Sequence, residues 1–239
     1  MADPLLTSPS HWTMITLEPN KNGPFITHVD SGGTPSTRKE ENWNGRIPWL
    51  TPKEITRNNH NIFVSATERS ITDVGISCSA AKLLPSGTVM LTKRAPVGAI
   101  AINAIPMATN QGFLNFQCGD RLRPMFLAHW FRVNVPYLKQ VANGSTYREL
   151  YKSDLFEFSI GIPPIEEQDS ILSVINALHF VALLGLPIEQ SVVSPEDMLK
   201  VQDQSRRLDR IREHMTIHLL SGALSALNVS SIFEAKINA

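Results

Sequence analysis

The sequence predicts an α+β fold in two parts: a mixed α/β domain over residues 1–163, then long helices over residues 164–239. Short apolar runs separated by turn residues indicate strands before Pro163-Pro164, and apolar stripes at helical spacing indicate helices after it. The composition agrees with this division, since 42% hydrophobic and 18% charged residues in a chain of 239 are typical of one or two globular domains.

The first part is predicted to combine strands with one helix. Apolar runs bounded by turn residues predict strands at residues 62–64, 89–91, 99–102 and 155–162. Residues 124–141 have helical periodicity, which predicts one helix with its apolar side chains on a single face. Several Pro and Gly residues interrupt residues 1–30, which we expect to be irregular, and residues 31–60 are expected to be turn-rich and polar.

The second part is predicted to form two helices that pair as an antiparallel coiled coil or helical hairpin. Residues 166–184 lack Gly and Pro and carry a coiled-coil-like stripe that includes Ile171, Ile175 and Leu178. A second helix is predicted to start at Ser194-Pro195 and to carry Leu208, Ile211 and Met215. Narrow stripes are stabilised mainly by burial, so we expect the two helices to pack together, within one chain or between chains.

Charge and cysteine content exclude several classes of protein. Lys and Arg number 22 and so do Asp and Glu, so the net charge of zero gives no overall attraction to nucleic acid. Cys78 and Cys118 are spaced for neither a zinc site nor a disulfide framework, and we expect both to be reduced and half-buried. No apolar run approaches a membrane span and the first residues lack a basic signal region, so a cytoplasmic, non-membrane protein is expected.

A search for catalytic motifs predicts no active site. Ser36-Thr-Arg-Lys39 and Ser79-Ala-Ala-Lys82 fit the S-x-x-K pattern, but the companion motifs of acyl-serine enzymes are missing. His214 and His218 have the spacing of two zinc ligands, but no Glu follows His214 to act as a general base. Phosphate-loop and dinucleotide motifs are also missing, so we expect no catalytic residues, no metal and no cofactor.

Three turn-like segments concentrate cations and small hydrogen-bonding residues. They are residues 31–39, residues 92–94 with 109–112, and residues 143–148. Between residues 90 and 155 eight cations face three acids, a local excess of five positive charges. Such side chains contact phosphates and base edges, although solvated loops have similar compositions. The candidate DNA contacts are Thr34, Ser36, Arg38, Lys39, Lys93, Arg94, Asn110, Gln111, Ser145, Thr146 and Arg148.

Seven motifs in order make the chain resemble one half of the specificity subunit of type I restriction–modification systems. Single motifs are weak, but seven over some 140 residues are specific. They are Ser31-Gly-Gly-Thr-Pro35, Trp43-Asn-Gly-Arg-Ile-Pro-Trp-Leu-Thr51, the segment from Ile71 to Gly87, Arg94-Ala-Pro-Val-Gly98, Ala108-Thr-Asn-Gln-Gly-Phe113, Asn143-Gly-Ser-Thr-Tyr147 and Ile162-Pro-Pro-Ile-Glu-Glu-Gln168.

The resemblance implies a non-catalytic target recognition domain that reads one half of a bipartite sequence in double-stranded DNA. The helices would set the distance between two such domains and dock the methyltransferase subunit, with a restriction subunit as a further partner. S-adenosylmethionine and ATP would be bound by those partner subunits, in a prokaryotic cytoplasm.

Two departures from the family pattern affect the expected assembly. This chain has one recognition domain where a typical member has two, so two copies are expected to form a homodimer that reads an interrupted palindrome. Pairing with a different half-subunit would instead give an asymmetric target. The break from Gly185 to Pro195 interrupts a helix that family members often continue, so the spacer length stays open.

Two other classes of function compete with this one. A DNA methyltransferase or nuclease with a fused reader would need a cofactor or metal motif, which the sequence lacks. A truncated or decoy subunit would bind partners through its helices without reading DNA. No feature of the sequence separates that decoy from a DNA reader.

Overall fold

The computed structural model describes residues 8–20, 23–57, 62–94, 96–142 and 149–184 together with Thr216, with side chains as far as Asn176 in the last helix. The chain divides into two compact units. Among the described residues, the first holds Met14–Ile160, and the second holds residues 8–13 together with those from Gly161 onward. The sequence does not predict that residues 8–13 lie in the second unit.

The described residues form ten strands and six α-helices. The strands are β1 (Thr13–Thr16), β2 (Ile26–Ser31), β3 (Trp43–Leu50), β4 (Phe63–Val64), β5 (Arg69–Ile71), β6 (Val89–Thr92), β7 (Ile100–Asn103), β8 (Ala108–Thr109), β9 (Phe113–Cys118) and β10 (Ser159–Ile162). The helices are α1 (Pro52–Arg57), α2 (Asp73–Ser77), α3 (Pro124–Val133), α4 (Val135–Val141), α5 (Lys152–Phe156) and α6 (Ile165–Leu184).

A five-stranded sheet with the order β2-β9-β6-β7-β4 forms the centre of the first unit. Its pairs are antiparallel except for β7 and β4, which run parallel. The inner strands β6 and β7 are buried along their whole length, and their apolar sequences, VMLT and IAIN, suit strands that are covered on both faces. Helix α3 adds Phe126, Trp130 and Phe131 to this core.

A second sheet, with the order β5-β3-β8, lies in the same unit and contains two buried tryptophans. Trp43 and Trp49 are both on β3, with ring centroids 5.1 Å apart in an edge-to-face arrangement. They form an apolar cluster with Ile47, Ile71, Ala81 and Ala108. Strand β1 pairs with β10 in a separate two-stranded sheet.

The structure confirms three predicted strands, as β4, β6 and β7, and corrects several other expectations. Residues 124–141 form two helices rather than one, because Pro136 has no N–H to continue the first helix past Asn134. The Asn134 side chain also donates a 2.8 Å hydrogen bond to the Trp130 carbonyl, which satisfies an acceptor at that end. Residues 26–57, expected to be irregular as far as residue 30 and turn-rich after it, contain β2, β3 and α1.

Residues 155–162 are a strand in their second half alone. The Asp154 carboxylate accepts a 2.9 Å hydrogen bond from the Tyr151 backbone N–H, which starts the short helix α5. Strand β10 then begins at Ser159.

The two cysteines differ in their exposure. Cys118 is half-buried as expected, and burial raises the pKa of its thiol to about 12. Cys78, in contrast, is exposed.

In the second unit, the N-terminal segment contacts the start of α6. The Glu167 carboxylate lies 2.9 Å from His11 Nε2 and accepts a 3.2 Å hydrogen bond from the Trp12 indole. Ile171 and Ile175 of the predicted stripe are buried. The Leu178 side chain and all of Leu208, Ile211 and Met215 lie outside the described residues. Within the described chain, no helix combines the length and apolarity needed to cross a bilayer.

Candidate nucleic-acid interface

Three backbone hydrogen bonds in the first unit join the first two polar segments to each other and to Leu150, which follows the third segment. The N–H of Gly33 donates to the Thr109 carbonyl over 2.9 Å, which joins residues 31–39 to residues 109–112. The N–H of Lys93 donates to the Gly112 carbonyl over 2.9 Å, which adds residues 92–94. The N–H of Leu150, just after the third segment, donates to the Lys93 carbonyl over 2.9 Å. Backbone hydrogen bonds therefore join four stretches that are distant in sequence.

Side chains of β3, and of Asn42 directly before it, hold the first segment in place. The Trp49 indole donates a buried 2.9 Å hydrogen bond to the Gly33 carbonyl. The Ser36 carbonyl accepts two hydrogen bonds, 3.1 Å from the Trp43 indole and 3.0 Å from the Asn42 amide. The segment is thus fixed at two carbonyls, three residues apart, and its side chains start from a rigid backbone.

The glycine pair in this segment permits close approach of other chain segments. A Cβ on Gly32 would lie 2.1 Å from the Asn110 carbonyl oxygen. A Cβ on Gly33 would lie 2.3 Å from the backbone of Ala80 and Ala81. Since backbone atoms cannot move aside as a flexible side chain can, both positions require glycine.

The predicted contacts of the first two segments divide into exposed and internally bonded residues. Thr34, Ser36, Arg38, Lys39 and Gln111 are exposed. Thr34 Oγ1 donates a 2.5 Å hydrogen bond to Gln111 Oε1, so two of the predicted contacts from different segments touch each other.

The side-chain oxygen and the backbone N–H of Asn110 are used in hydrogen bonds that form its own turn. Its side-chain Oδ1 accepts a 2.8 Å hydrogen bond from the Gly112 N–H. The Asn110 backbone N–H donates to the Leu50 carbonyl over 3.0 Å. Both bonds shape the turn that presents Gln111, which indicates a positioning role for Asn110.

Lys93 and Arg94 share one carboxylate. Lys93 Nζ lies 3.0 Å from Glu149 Oε1, and Arg94 Nε lies 3.1 Å from Glu149 Oε2. Burial on its own raises the pKa of the Glu149 carboxyl, but hydrogen bonds and charge from the two cations outweigh it, so the pKa lies below its ordinary value. The Lys93 side chain is 14% exposed and that of Arg94 is 52% exposed. About half of the Arg94 side chain therefore remains accessible to solvent, whereas Lys93 is largely buried beside Glu149.

The third segment, residues 143–148, lies outside the described residues. Ser145, Thr146 and Arg148 lie outside the described residues, and Glu149 and Leu150 directly after them are bonded to residues 93 and 94.

Sequence reasoning missed the residues that support this surface. Trp43, Trp49 and Asn42 were not among the candidates, although the two tryptophans stand an even number of residues apart and could have been placed on one face of a strand. Arg69 was also missed, and its guanidinium lies 3.6 Å from the centroid of Trp43 and 5.2 Å from that of Trp49.

The described residues contain no group of three or more His, Cys, Asp or Glu side chains arranged to hold a metal ion. What the described site offers is hydroxyl, amide and guanidinium groups on a fixed backbone. These groups hydrogen-bond anionic and polar partners, and loops held on a rigid scaffold are a common way to present them.

Sheets thus hold polar turns from distant parts of the chain side by side, as in domains that bind a partner through loops on a rigid scaffold. The chain belongs to the family of type I restriction modification DNA specificity domains, whose model matches residues 25–180.

Individual relatives agree with the family match. The chain is 40% identical over 153 residues to the type I restriction enzyme MjaIX specificity subunit of Methanocaldococcus jannaschii. The matched residues cover 63% of this chain and 35% of that protein. It is 28% identical over 152 residues to the EcoR124I/EcoR124II specificity subunit of Escherichia coli, covering 61% of this chain and 37% of that protein. The chain therefore spans little more than a third of the length of these relatives.

Solved structures share the fold at lower identity. The HsdS subunit of Thermoanaerobacter tengcongensis matches 90% of this chain and 46% of its own length, with a TM-score of 0.55 and 20% identity. A chain from a structural study of complex assembly in the type I R-M system matches to the same TM-score and identity. The predicted mixed α/β architecture is thus confirmed as resembling that of HsdS, and the coiled coil stays a prediction.

Proposed function

We propose that this chain is a non-catalytic, sequence-specific DNA-binding specificity subunit that reads one half of a bipartite target. The observation that carries the proposal is the junction of the polar segments through Gly33, Thr109, Gly112 and Lys93. A DNA reader needs several donors and acceptors held at fixed spacing, because base edges are distinguished by the pattern of those groups.

The exposed members of the junction are the proposed DNA contacts. Thr34, Ser36 and Gln111 carry hydroxyl or amide groups suited to base edges or phosphates. Arg38, Lys39 and Arg94 carry charges suited to phosphates. Ser145, Thr146 and Arg148 are proposed to extend this surface from the third segment. Lys93 and Asn110 are proposed to position their neighbours, since both are bonded internally.

The part of the chain after residue 163 is proposed to serve assembly. Buried Ile171 and Ile175 support a helix whose apolar stripe is covered. We propose that this helix pairs with the segment that carries Leu208, Ile211 and Met215, as a hairpin or coiled coil. The paired helices would dock a methyltransferase subunit, which would bind S-adenosylmethionine, and a restriction subunit that uses ATP would be a further partner.

The proposed assembly is a homodimer. The family match covers one recognition domain at residues 25–180, and two copies of that domain would supply two readers. A two-fold pair of identical readers recognises the same half-site on opposite strands, which gives an interrupted palindrome. Mapping methylated adenines in a host that carries this chain and its methyltransferase tests the symmetry. An asymmetric bipartite motif would refute the homodimer.

A mobility-shift experiment tests the DNA-reading function. The purified chain with its partner methyltransferase is titrated onto methylatable DNA, and a shift that survives excess random competitor is expected. The alternative is a decoy subunit that binds the methyltransferase without reading DNA. Co-purification with the methyltransferase but no shift would establish the decoy.

A further inference from the structure

We propose that Arg69 contacts DNA. The two tryptophans of β3 orient its guanidinium so that it can donate hydrogen bonds to two neighbouring acceptors on the DNA. The inference rests on the proposed DNA-reading function and adds to it a residue from β5, outside the three polar segments.

The first argument is the position of the guanidinium. Arg69 pairs with Trp49 across the β3–β5 ladder, and its guanidinium carbon lies 3.6 Å from the centroid of the Trp43 ring. The same indole donates to the Ser36 carbonyl in the first polar segment. Arg69 and Ser36 are therefore held by a single indole, one through its ring and the other through its N–H.

The second argument concerns which cations have an ion-pair partner. Lys39, Arg46, Lys82 and the Lys93–Arg94 pair each lie beside a carboxylate. Arg69 is exposed, and in the part of the chain that the structure describes it has no ion-pair partner. Its guanidinium is thus held by aromatic rings rather than by a carboxylate.

The third argument is chemical. A guanidinium that lies against an indole can keep its N–H groups directed outward, in the plane of the fork. That planar fork matches two acceptors side by side, which on DNA are the O6 and N7 atoms of guanine or two phosphate oxygens. Because the rings already restrict the side chain, less conformational entropy is lost on binding.

The test compares Arg69→Gln and Arg69→Lys with a matched control, Arg121→Gln. Arg121 also lies near an aromatic ring, 5.5 Å from the centroid of Phe25, in the same unit. Each variant, in complex with the methyltransferase subunit, is titrated by fluorescence anisotropy. Three kinds of duplex are used: a duplex with the target found by methylation mapping, duplexes with single-base changes in that target, and a duplex with a scrambled sequence. The melting temperature of each variant is measured in parallel.

Arg69→Gln is expected to weaken target binding by about 5- to 150-fold, the range of one bidentate contact. Arg69→Lys keeps the charge without the fork and should recover only part of the affinity, and Arg121→Gln should bind as the wild type does. A loss confined to one base position identifies guanine, and a uniform loss with a salt slope lower by about one identifies phosphate.

Other outcomes overturn the inference. If both Arg69 variants bind like the wild type, with or without a lower melting temperature, Arg69 merely covers the tryptophan cluster. If the wild-type complex itself does not bind DNA, the proposed function fails, and this inference fails with it.

Discussion

The Trp49 indole N–H and the Gly33 carbonyl form a buried 2.9 Å hydrogen bond that fixes the first polar segment to strand β3. Gly33 also donates its own N–H to the Thr109 carbonyl. One residue without a side chain therefore joins the scaffold to two of the three segments proposed to contact DNA. The stability of the surface and its ability to bind are expected to depend on the same few bonds.

Trp49→Phe is predicted to destabilise the protein more than Trp43→Phe does. Loss of the Trp49 N–H leaves the buried Gly33 carbonyl without its donor, at a cost of about 1–3 kcal/mol. The Ser36 carbonyl keeps the Asn42 amide when Trp43 is replaced. Urea denaturation of both variants measures the difference in the free energy of unfolding, and a loss for Trp43→Phe as large as that for Trp49→Phe would contradict the assignment.

Glu149→Gln is predicted to remove a stabilisation that depends on pH. The pKa of the Glu149 carboxyl is lowered in the folded state, so its contribution is fully present above its ordinary value of 4.5 and is lost as the pH falls through the folded pKa. The free energy of unfolding should therefore differ between wild type and variant at pH 7, and the difference should shrink below pH 4.5.

The matched control for Glu149 is Glu41→Gln. Glu41 pairs with Lys39 at 3.6 Å, and both side chains are 62% exposed, so this replacement should have little effect at any pH. A difference between wild type and Glu149→Gln that stays constant from pH 7 to pH 3 would refute the ion-pair account of the Lys93–Glu149–Arg94 group.

Simultaneous Arg94→Ala and Arg148→Ala changes are predicted to weaken binding to all DNA sequences. If each arginine neutralises one phosphate, the slope of log affinity against log salt should fall by about two units. The control is Arg46→Ala, because Arg46 pairs with Asp73 outside the polar segments. Wild-type affinity and slope in the double variant would count against this surface as the DNA-binding face.

Ile175→Asp is predicted to abolish assembly with the methyltransferase or with a second copy of the chain. Ile175 is buried on α6, so a carboxylate there cannot be accommodated without an unpaired buried charge. Ser173→Asp introduces the same charge at an exposed position of the same helix and should assemble normally. Size-exclusion chromatography measures both, and an unchanged elution volume for the Ile175→Asp complex would reject the assembly role.

The fold could be predicted from the sequence where local pattern determines the structure. Fully apolar runs gave β6 and β7, because strands buried on both faces need no alternation. Strand β3 was missed because its sequence, WNGRIPWL, combines turn residues with two tryptophans whose burial depends on partners distant in sequence. Helix α5 was missed because one carboxylate, that of Asp154, decides its start.

The sequence allowed the polar residues of the site to be predicted, but not the contacts between them. The polar residues of segments 31–39 and 109–112 were recognisable from the sequence, and the direct contact between Thr34 and Gln111 was not. Pairing between distant segments depends on sheet topology, which the periodicity of single segments does not specify. The same holds for Arg69, which is linked to the surface through two tryptophans from another strand.

The central claim is that this chain reads DNA sequence, and the ratio of two affinities tests it most directly. The complex of the chain with its methyltransferase is titrated, at one fixed salt concentration, onto a duplex with the mapped target and onto a duplex with both half-sites scrambled. We predict binding to the target at least about 10³-fold tighter, the lower range for specific DNA-binding proteins. Equal affinity for the two duplexes would contradict the claim.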